Sequence, residues 1–356
     1  MILYIAVALW PILAYWFYTN FSIGFNRFSN RAASFNFYIV LSLLPMFIII
    51  ALRNPSMGAD TYVYLRNFLY VRETPLKEVL EYTRMETGYI VFVKLIGCVT
   101  SSPLIYQIVC VSIYFICFFD FTKNLNSDDV FWFIFFVVTL GFFFFMFTGV
   151  RQCLAISICL FSYKFCVRRK FLKFLICVLL ASLFHKSAIL FVAVYIIFNK
   201  KVTIYNVILY GVCVWFASNY LLTIQNFLNE QLDYNYTIEA TGNGLIFLLI
   251  LVLLTIFSMI MAYNNREMDV PYTKALININ FITIFFWIIR LQTRVAERPS
   301  YYFLLFSCSL FAHGLTSIKD NREKRIFTCL IVIFSMLLFI YRLKTNYASL
   351  VPYRLY

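Results

Sequence analysis

Charge is what this chain has least of. Asp, Glu, Lys and Arg together make up only 13% of it, against about 25% in a soluble globular protein. There are two histidines, His185 and His313, which leaves little for a His-based metal site. None of the ten cysteines forms a C-x-x-C pair or stands in a clearly polar loop. They read as small apolar packing residues instead of disulfides or metal ligands. G-x-S-x-G, H-E-x-x-H, D-x-D and a Gly-rich phosphate loop are all missing, so the usual hydrolase, metalloprotease and nucleotide signatures give no lead. No metal and no cofactor are expected. No polar linker, repeat or low-complexity tract divides the chain.

What is abundant is hydrocarbon. Hydrophobic residues account for 63% of the 356 residues, and the mean hydropathy is +0.83. No soluble fold hides that much apolar surface, so lipid must cover part of it. A membrane β-barrel needs a polar residue at every second position, and the unbroken Phe, Leu and Ile runs exclude it. Apolar segments fall near 2–18, 35–52, 103–119, 130–147, 152–167, 171–184, 187–198, 202–222, 244–263, 274–289, 300–318 and 326–341. These predict an all-α polytopic membrane protein of about 12 transmembrane helices, some short or broken. It forms a single integral membrane domain over 1–356. Segment 2–18 lacks a basic stretch before it and a small-residue cleavage site after it, so it reads as a retained helix. Residues 53–100 form an external loop with short or re-entrant helices, because 89–100 is too short to span and contains Lys94.

The net charge is +14. In a soluble chain that would suggest nucleic acid; in a membrane chain it points to anionic lipid or an anionic substrate. Basic residues set the orientation. Arg27, Arg31, Lys123, the cluster at 164–173, Lys200, Lys201, Arg266, Lys274 and the cluster at 319–325 outnumber those of the other face, which places them in the cytoplasm and both termini outside. Residues 171–198 would make one helix of about 42 Å, long for one span. A hairpin with His185 and Lys186 at its outer tip preserves the charge bias.

External cations are the unexpected ones, and they cluster. Arg53 precedes Pro55, Gly58 and Asp60-Thr-Tyr-Val-Tyr64, where Asp60 or Thr61 would cap a short helix. Arg151 and Gln152 follow Gly149 at the turn of an apolar hairpin. His185 and Lys186 stand between two apolar half-segments. Arg290, Arg294 and Arg298, at spacing four, would stack along one helical face beside Glu297 unless Pro299 turns the last one away. Each has a plain structural reading, such as a capped loop, a snorkelling Arg or a histidine satisfying a carbonyl. Each also has a functional one, since ionisable groups at membrane depth mark sites. His313 reads as structural, and Glu267-Met268-Asp269 as a solvated cytoplasmic loop. Asn235-Tyr-Thr237 is a glycosylation sequon in form only.

In order along the chain, Arg53 with Gly58-x-Asp60-Thr61-x-x-Tyr64, Glu86-x-Gly88-Tyr89, Arg151-Gln152-x-x-Ala155, His185-Lys186-Ser187-Ala188, Arg298-x-x-x-Tyr302-Phe303 and Pro352-Tyr353 resemble the EpsG family of Wzy-like O-antigen and exopolysaccharide polymerases. The likeness is dense over 53–198 and thin over 199–289. It implies a metal-independent glycosyltransferase in the bacterial inner membrane, with its active site facing the periplasm. Its substrates would be oligosaccharide repeat units on undecaprenyl pyrophosphate, as donor and acceptor. A chain-length regulator would be a further partner, and nucleic acid would not. The acceptor hydroxyl then needs a base, for which the external candidates are Asp60, His185, Glu86 and Glu297, with Asp60 or His185 favoured. Arg53, Arg151, Gln152, Lys186, Arg290, Arg294, Arg298, Tyr64 and Tyr353 would hold pyrophosphate and sugars. A lipid-linked oligosaccharide flippase would also place arginines in a cavity, but should carry two related halves. A membrane acyltransferase would use His185 without needing the arginines.

Overall fold

The computed structural model describes residues 1–25, 31–220, 223, 226–227, 244–345 and 349–356; the side chains of 21–25, 31 and 204 are not among them. Arg27 and the Asn235 sequon lie outside the described residues. Among the described residues the fold is all helical. Seven helices there are long and apolar enough to cross a bilayer, with shorter apolar helices between them. The chain is therefore a multi-pass membrane protein. It divides into two compact units: residues 1–185 with 326–356, and residues 186–325.

The first unit begins with α1 (Ile2–Phe25) and α2 (Arg31–Ala51), which pack together. Three short helices follow, α3 (Thr61–Glu73), α4 (Leu76–Tyr82) and α5 (Thr87–Val99). At 13 residues, α5 is about 20 Å long and cannot span. Lys94 has a use there. Its Nζ donates to the carbonyls of Val71, Arg72 and Thr74 at 3.0, 2.9 and 2.7 Å, satisfying acceptors left over at the end of α3. Next come α6 (Pro103–Thr122), α7 (Ser127–Thr139), α8 (Phe142–Phe145), α9 (Val150–Val167) and α10 (Phe171–Ser182). The segment expected as one span over 130–147 is broken. Gly141 sits at φ 103°, and a Cβ there would collide with the Arg342 guanidinium, whose Nη1 donates to the Leu140 carbonyl at 2.7 Å. Helix α6 packs on α2 and α9, and α9 packs on α10. The buried face of α9 carries Cys153, Ala155, Ser157, Cys159, Ser162 and Cys166. Small residues let membrane helices approach closely, which is the use expected of the cysteines.

In the second unit a 3-10 helix (Lys186–Phe191) leads into α11 (Val192–Ile197), followed by α12 (Ile204–Asn219), α13 (Leu245–Asn264), α14 (Pro271–Arg290) and α15 (Glu297–Thr316). Stretch 171–198 is thus interrupted at 183–185, where the sequence argues for a break. Polar side chains tie the helices together inside the unit. Asn280 Nδ2 donates to Thr255 Oγ1 at 2.7 Å, Ser307 Oγ to Thr283 Oγ1 at 2.9 Å, and Asn278 Nδ2 to the Lys200 carbonyl at 2.7 Å. Where lipid offers helices no hydrophobic reason to associate, such bonds and close packing hold them. The last helix, α16 (Asn321–Lys344), belongs from Ile326 onward to the first unit.

Candidate active site

Within the first unit, motifs far apart in sequence meet at the ends of four helices. Pro55 and Gly58 turn the chain after α2, with Gly58 at φ 83°, where L side chains are disfavoured. A Cβ on Gly58 would strike the Phe147 carbonyl. Thr61 Oγ1 donates to that same carbonyl at 2.9 Å. The start of α3 is thereby fixed against the turn that opens α9. From that turn Arg151 projects, and its Nη1 forms an ion pair with Glu86 Oε2 at the start of α5. The Arg151 Cζ lies 6.0 Å from the ring centres of both Tyr64 and Tyr89, a cation–π distance. Tyr89 N donates to the Leu183 carbonyl at 3.1 Å, which brings in the end of α10 two residues before His185. Gly88 permits this approach, because an added Cβ would meet Leu183. The first turns of α3, α5 and α9 converge here. Helix N-termini carry unpaired N–H groups and partial positive charge, so their field adds to that of Arg151.

Within this cluster the carboxylates differ. Glu86 is buried and engaged by Arg151. Asp60 is half-buried at the N-cap of α3, yet its side chain makes no capping bond. Among the described residues its side chain has no other hydrogen bond or ion pair, which leaves the carboxylate oxygens available to a proton donor. His185 is buried at the end of the unit, and Gln152 is buried inside α9.

Arg53, expected to hold pyrophosphate or sugar, is engaged by the protein's own acceptors. It is 1% exposed. Its Nη1 donates to the Ile50 carbonyl at 2.5 Å and its Nε to Thr61 Oγ1 at 3.3 Å, while its own carbonyl accepts from Gln107 Nε2 at 2.9 Å. Burial pushes its pKa below the usual arginine value. The adjoining cavity, lined by Gln107, Tyr106 and Tyr114, holds about 10 Å³, room for one water and not for a pyrophosphate. Arg53 holds the turn together. Tyr353, expected at the sugars, donates its hydroxyl to the Ile49 carbonyl at 3.2 Å. Beside it Asn54 N donates to the Arg354 carbonyl and Tyr356 N to the Leu52 carbonyl, both at 2.9 Å, pairing the last residues with the end of α2.

In the second unit the three arginines do not share one helical face. Helix α14 ends at Arg290, a 3-10 turn covers Arg294–Ala296, and α15 starts at Glu297. Pro299 explains the restart: it is tolerated in a first turn, where its missing N–H is not needed, but not inside a continuous helix. Arg290 is buried over Trp287, its Cζ 5.8 Å from the ring centre, and its Nε donates to Glu297 Oε2 at 3.3 Å. Tyr301 donates to the other Glu297 oxygen at 2.8 Å. Arg294 and Arg298 are exposed. Lys186 is half-buried, and its neighbour Ser187 donates to the Tyr302 hydroxyl at 3.2 Å. Glu267 is not simply solvated, since it pairs with His313 Nε2 at 3.0 Å.

Residues 36–355 match the EpsG family. The chain belongs to that family. No curated protein and no solved structure matches it. The EpsG match takes in both units and every motif described above. It identifies a membrane protein of the polysaccharide polymerase type. Within the EpsG span, Tyr106 and Gln107 escape sequence reasoning. They sit in the apolar run of α6, yet Tyr106 hydrogen-bonds Tyr89 at 2.7 Å and Gln107 carries the Arg53 turn. The one signal was Gln107 itself, a polar residue inside a spanning segment.

Proposed function

We propose that this protein joins oligosaccharide repeat units carried on undecaprenyl pyrophosphate, at the periplasmic face of a bacterial inner membrane. The growing chain leaves its carrier and is received by the non-reducing end of the next lipid-linked unit. A glycosidic bond forms between the anomeric carbon of the donor and an acceptor hydroxyl oxygen. The bond from that carbon to the pyrophosphate oxygen breaks, and undecaprenyl pyrophosphate departs with the electron pair. The acceptor proton goes to a carboxylate, for which Asp60 is the choice.

The observation that carries this reading is Arg151, held by Glu86 between Tyr64 and Tyr89 where three helix N-termini meet. A guanidinium and oriented N–H groups suit a leaving group that gains negative charge. Glu86 keeps Arg151 aimed until the anionic donor competes for it. The tyrosine faces offer surfaces for sugar rings. A positioned base contributes typically 10²–10⁴-fold, and Asp60 has its oxygens uncommitted.

The test uses purified protein in liposomes with synthetic lipid-linked repeat units. Linkages formed are counted by mass spectrometry, with and without chelator. Polymer with release of the pyrophosphate carrier is expected, at a rate unchanged by chelation. Movement of intact units across the bilayer without new linkages would point to a flippase and sink the proposal.

A further inference from the structure

We propose that a cleft in the second unit, between α12, α13 and α14, seats the polyprenyl tail of the lipid-linked substrate; the assignment rests on the polymerase reading above. The cleft encloses about 270 Å³ and is lined by Gly211 and Val214 of α12, Ile256 of α13, and Phe281, Phe285 and Ile288 of α14. Gly211 and Ile256 are exposed, so it opens on the apolar exterior of the unit.

The lining asks for hydrocarbon and nothing else. Its polar members are committed elsewhere. Thr255 Oγ1 donates to the Leu251 carbonyl at 2.6 Å and accepts from Asn280, and the Tyr210 hydroxyl donates to Asn278 Oδ1 at 3.5 Å. Water would find no partners there, so an apolar chain is what the cleft accepts.

Charge says which hydrocarbon. The cleft follows α14 from Phe281 to Ile288, about 10 Å along the helix axis. It stops two residues before Arg290, and Arg294 and Arg298 follow in the next turns. An apolar groove on a helix that runs on into Arg290, paired with Glu297, and then into the exposed Arg294 and Arg298 fits an amphiphile with an anionic head and a long tail. A pyrophosphate-linked prenyl chain has that form, and its head carries more charge than a phospholipid's.

Gly211 supplies the test. A Cβ added there meets no heavy atom within 4 Å, so Gly211→Leu fills the cleft without a clash. Leu is also the better helix former, and the melting temperature should hold or rise. Turnover is measured with donors whose carrier tails are full-length or short. The wild type should favour the full-length tail in kcat/KM by about tenfold, through KM, and Gly211→Leu should bring that ratio close to one. Val212→Leu, on the same helix but outside the cleft, should keep the wild-type ratio. A preserved tail preference in Gly211→Leu overturns the assignment.

A second measurement does not depend on turnover. A prenyl pyrophosphate with a photoreactive group in its tail is crosslinked to the wild-type protein and the labelled peptides are mapped. Labelling in α12, α13 or α14 that Gly211→Leu abolishes is expected. Labelling elsewhere only, or labelling suppressed equally by phosphatidylglycerol and by unlabelled prenyl pyrophosphate, overturns the proposal. If crosslinking succeeds and no polymer forms, the polymerase reading has failed instead.

Discussion

Glu86 and Arg151 stand 65 residues apart in the chain and form one ion pair, with the carboxylate side chain 4% exposed and the guanidinium 21%. The asymmetry gives the pair a direction. Glu86 is the buried anchor, and Arg151 is the member that solvent or a substrate can reach. Replacing Glu86 by Gln keeps an acceptor but leaves Arg151 without its counter-charge. We expect a loss of about 1–3 kcal/mol, below the full cost of breaking a wholly buried pair because Arg151 is partly solvated. Thermal melting in detergent measures it, and an unchanged melting temperature would mean the pair contributes nothing to the fold.

Arg151 itself is tested by Lys. Lysine keeps the charge but lacks the planar fork that grips a pyrophosphate through two bonds at once. Cells with Arg151→Lys should accumulate single repeat units and make little polymer, at normal protein levels. Wild-type polymer would leave Arg151 as a headgroup anchor.

Gly58 carries a backbone prediction. Its positive φ and the Phe147 carbonyl both exclude a side chain. Gly58→Ala should cost at least about 1–2 kcal/mol, since an L residue in a left-handed conformation is strained and the neighbouring backbone must also shift. The yield of folded protein reports it. Equal yield and turnover would show that the turn after α2 does not position Thr61.

Why some of this was legible in sequence and some not follows from what each residue answers to. The apolar runs are read by lipid, and lipid is one solvent everywhere, so α1, α2, α6, α9, α13, α14 and α16 stand out from hydropathy alone. The break at 183–185 was legible because one helix through it would be too long for the bilayer and would erase the charge bias. Gly141 was not: a single glycine in a Phe-rich run costs a helix little, and only Arg342, some two hundred residues later, makes it a break. The surroundings of Arg53 were illegible for a related reason. An arginine at a helix end normally reaches for water or an anion, but here the acceptors are the Ile50 carbonyl and Thr61, which sequence does not advertise. The motifs around Asp60, Glu86, Arg151 and His185 could be recognised separately. Their convergence depends on contacts such as Thr61 with Phe147 and Tyr89 with Leu183, which are accepted by backbone carbonyls that any residue could supply and so leave no pairing pattern.

Tyr353 separates a tie from a sugar platform. Tyr353→Phe removes the bond to the Ile49 carbonyl and keeps the ring, which lies 6.3 Å from that of Tyr4. As a tie, it should cost about 1 kcal/mol in stability and leave the acceptor KM unchanged. Tyr353→Leu removes the ring as well. A rise in acceptor KM in the Leu variant, with wild-type behaviour in the Phe variant, would return Tyr353 to the sugar-binding surface.

Asp60 gives the sharpest division between structure and chemistry. It occupies the N-cap of α3 without making the capping bond, so its carboxylate contributes little to the helix. Asn is nearly as good a cap, and Asp60→Asn should therefore melt like the wild type. If Asp60 accepts the proton of the acceptor hydroxyl, the same variant should still bind lipid-linked units while turnover falls by about two orders of magnitude or more. His185→Gln is the companion, because Gln keeps a hydrogen bond where imidazole stood but cannot take the proton. The two variants are compared by binding of labelled lipid-linked units and by linkages formed per enzyme. Slow turnover with intact binding in Asp60→Asn alone assigns the base. The same result in His185→Gln alone moves it to the end of α10. Wild-type rates in both leave Glu86 and Glu297 as the carboxylates to test, and because Glu86 already pairs with Arg151, it could act only after the donor has drawn that arginine away.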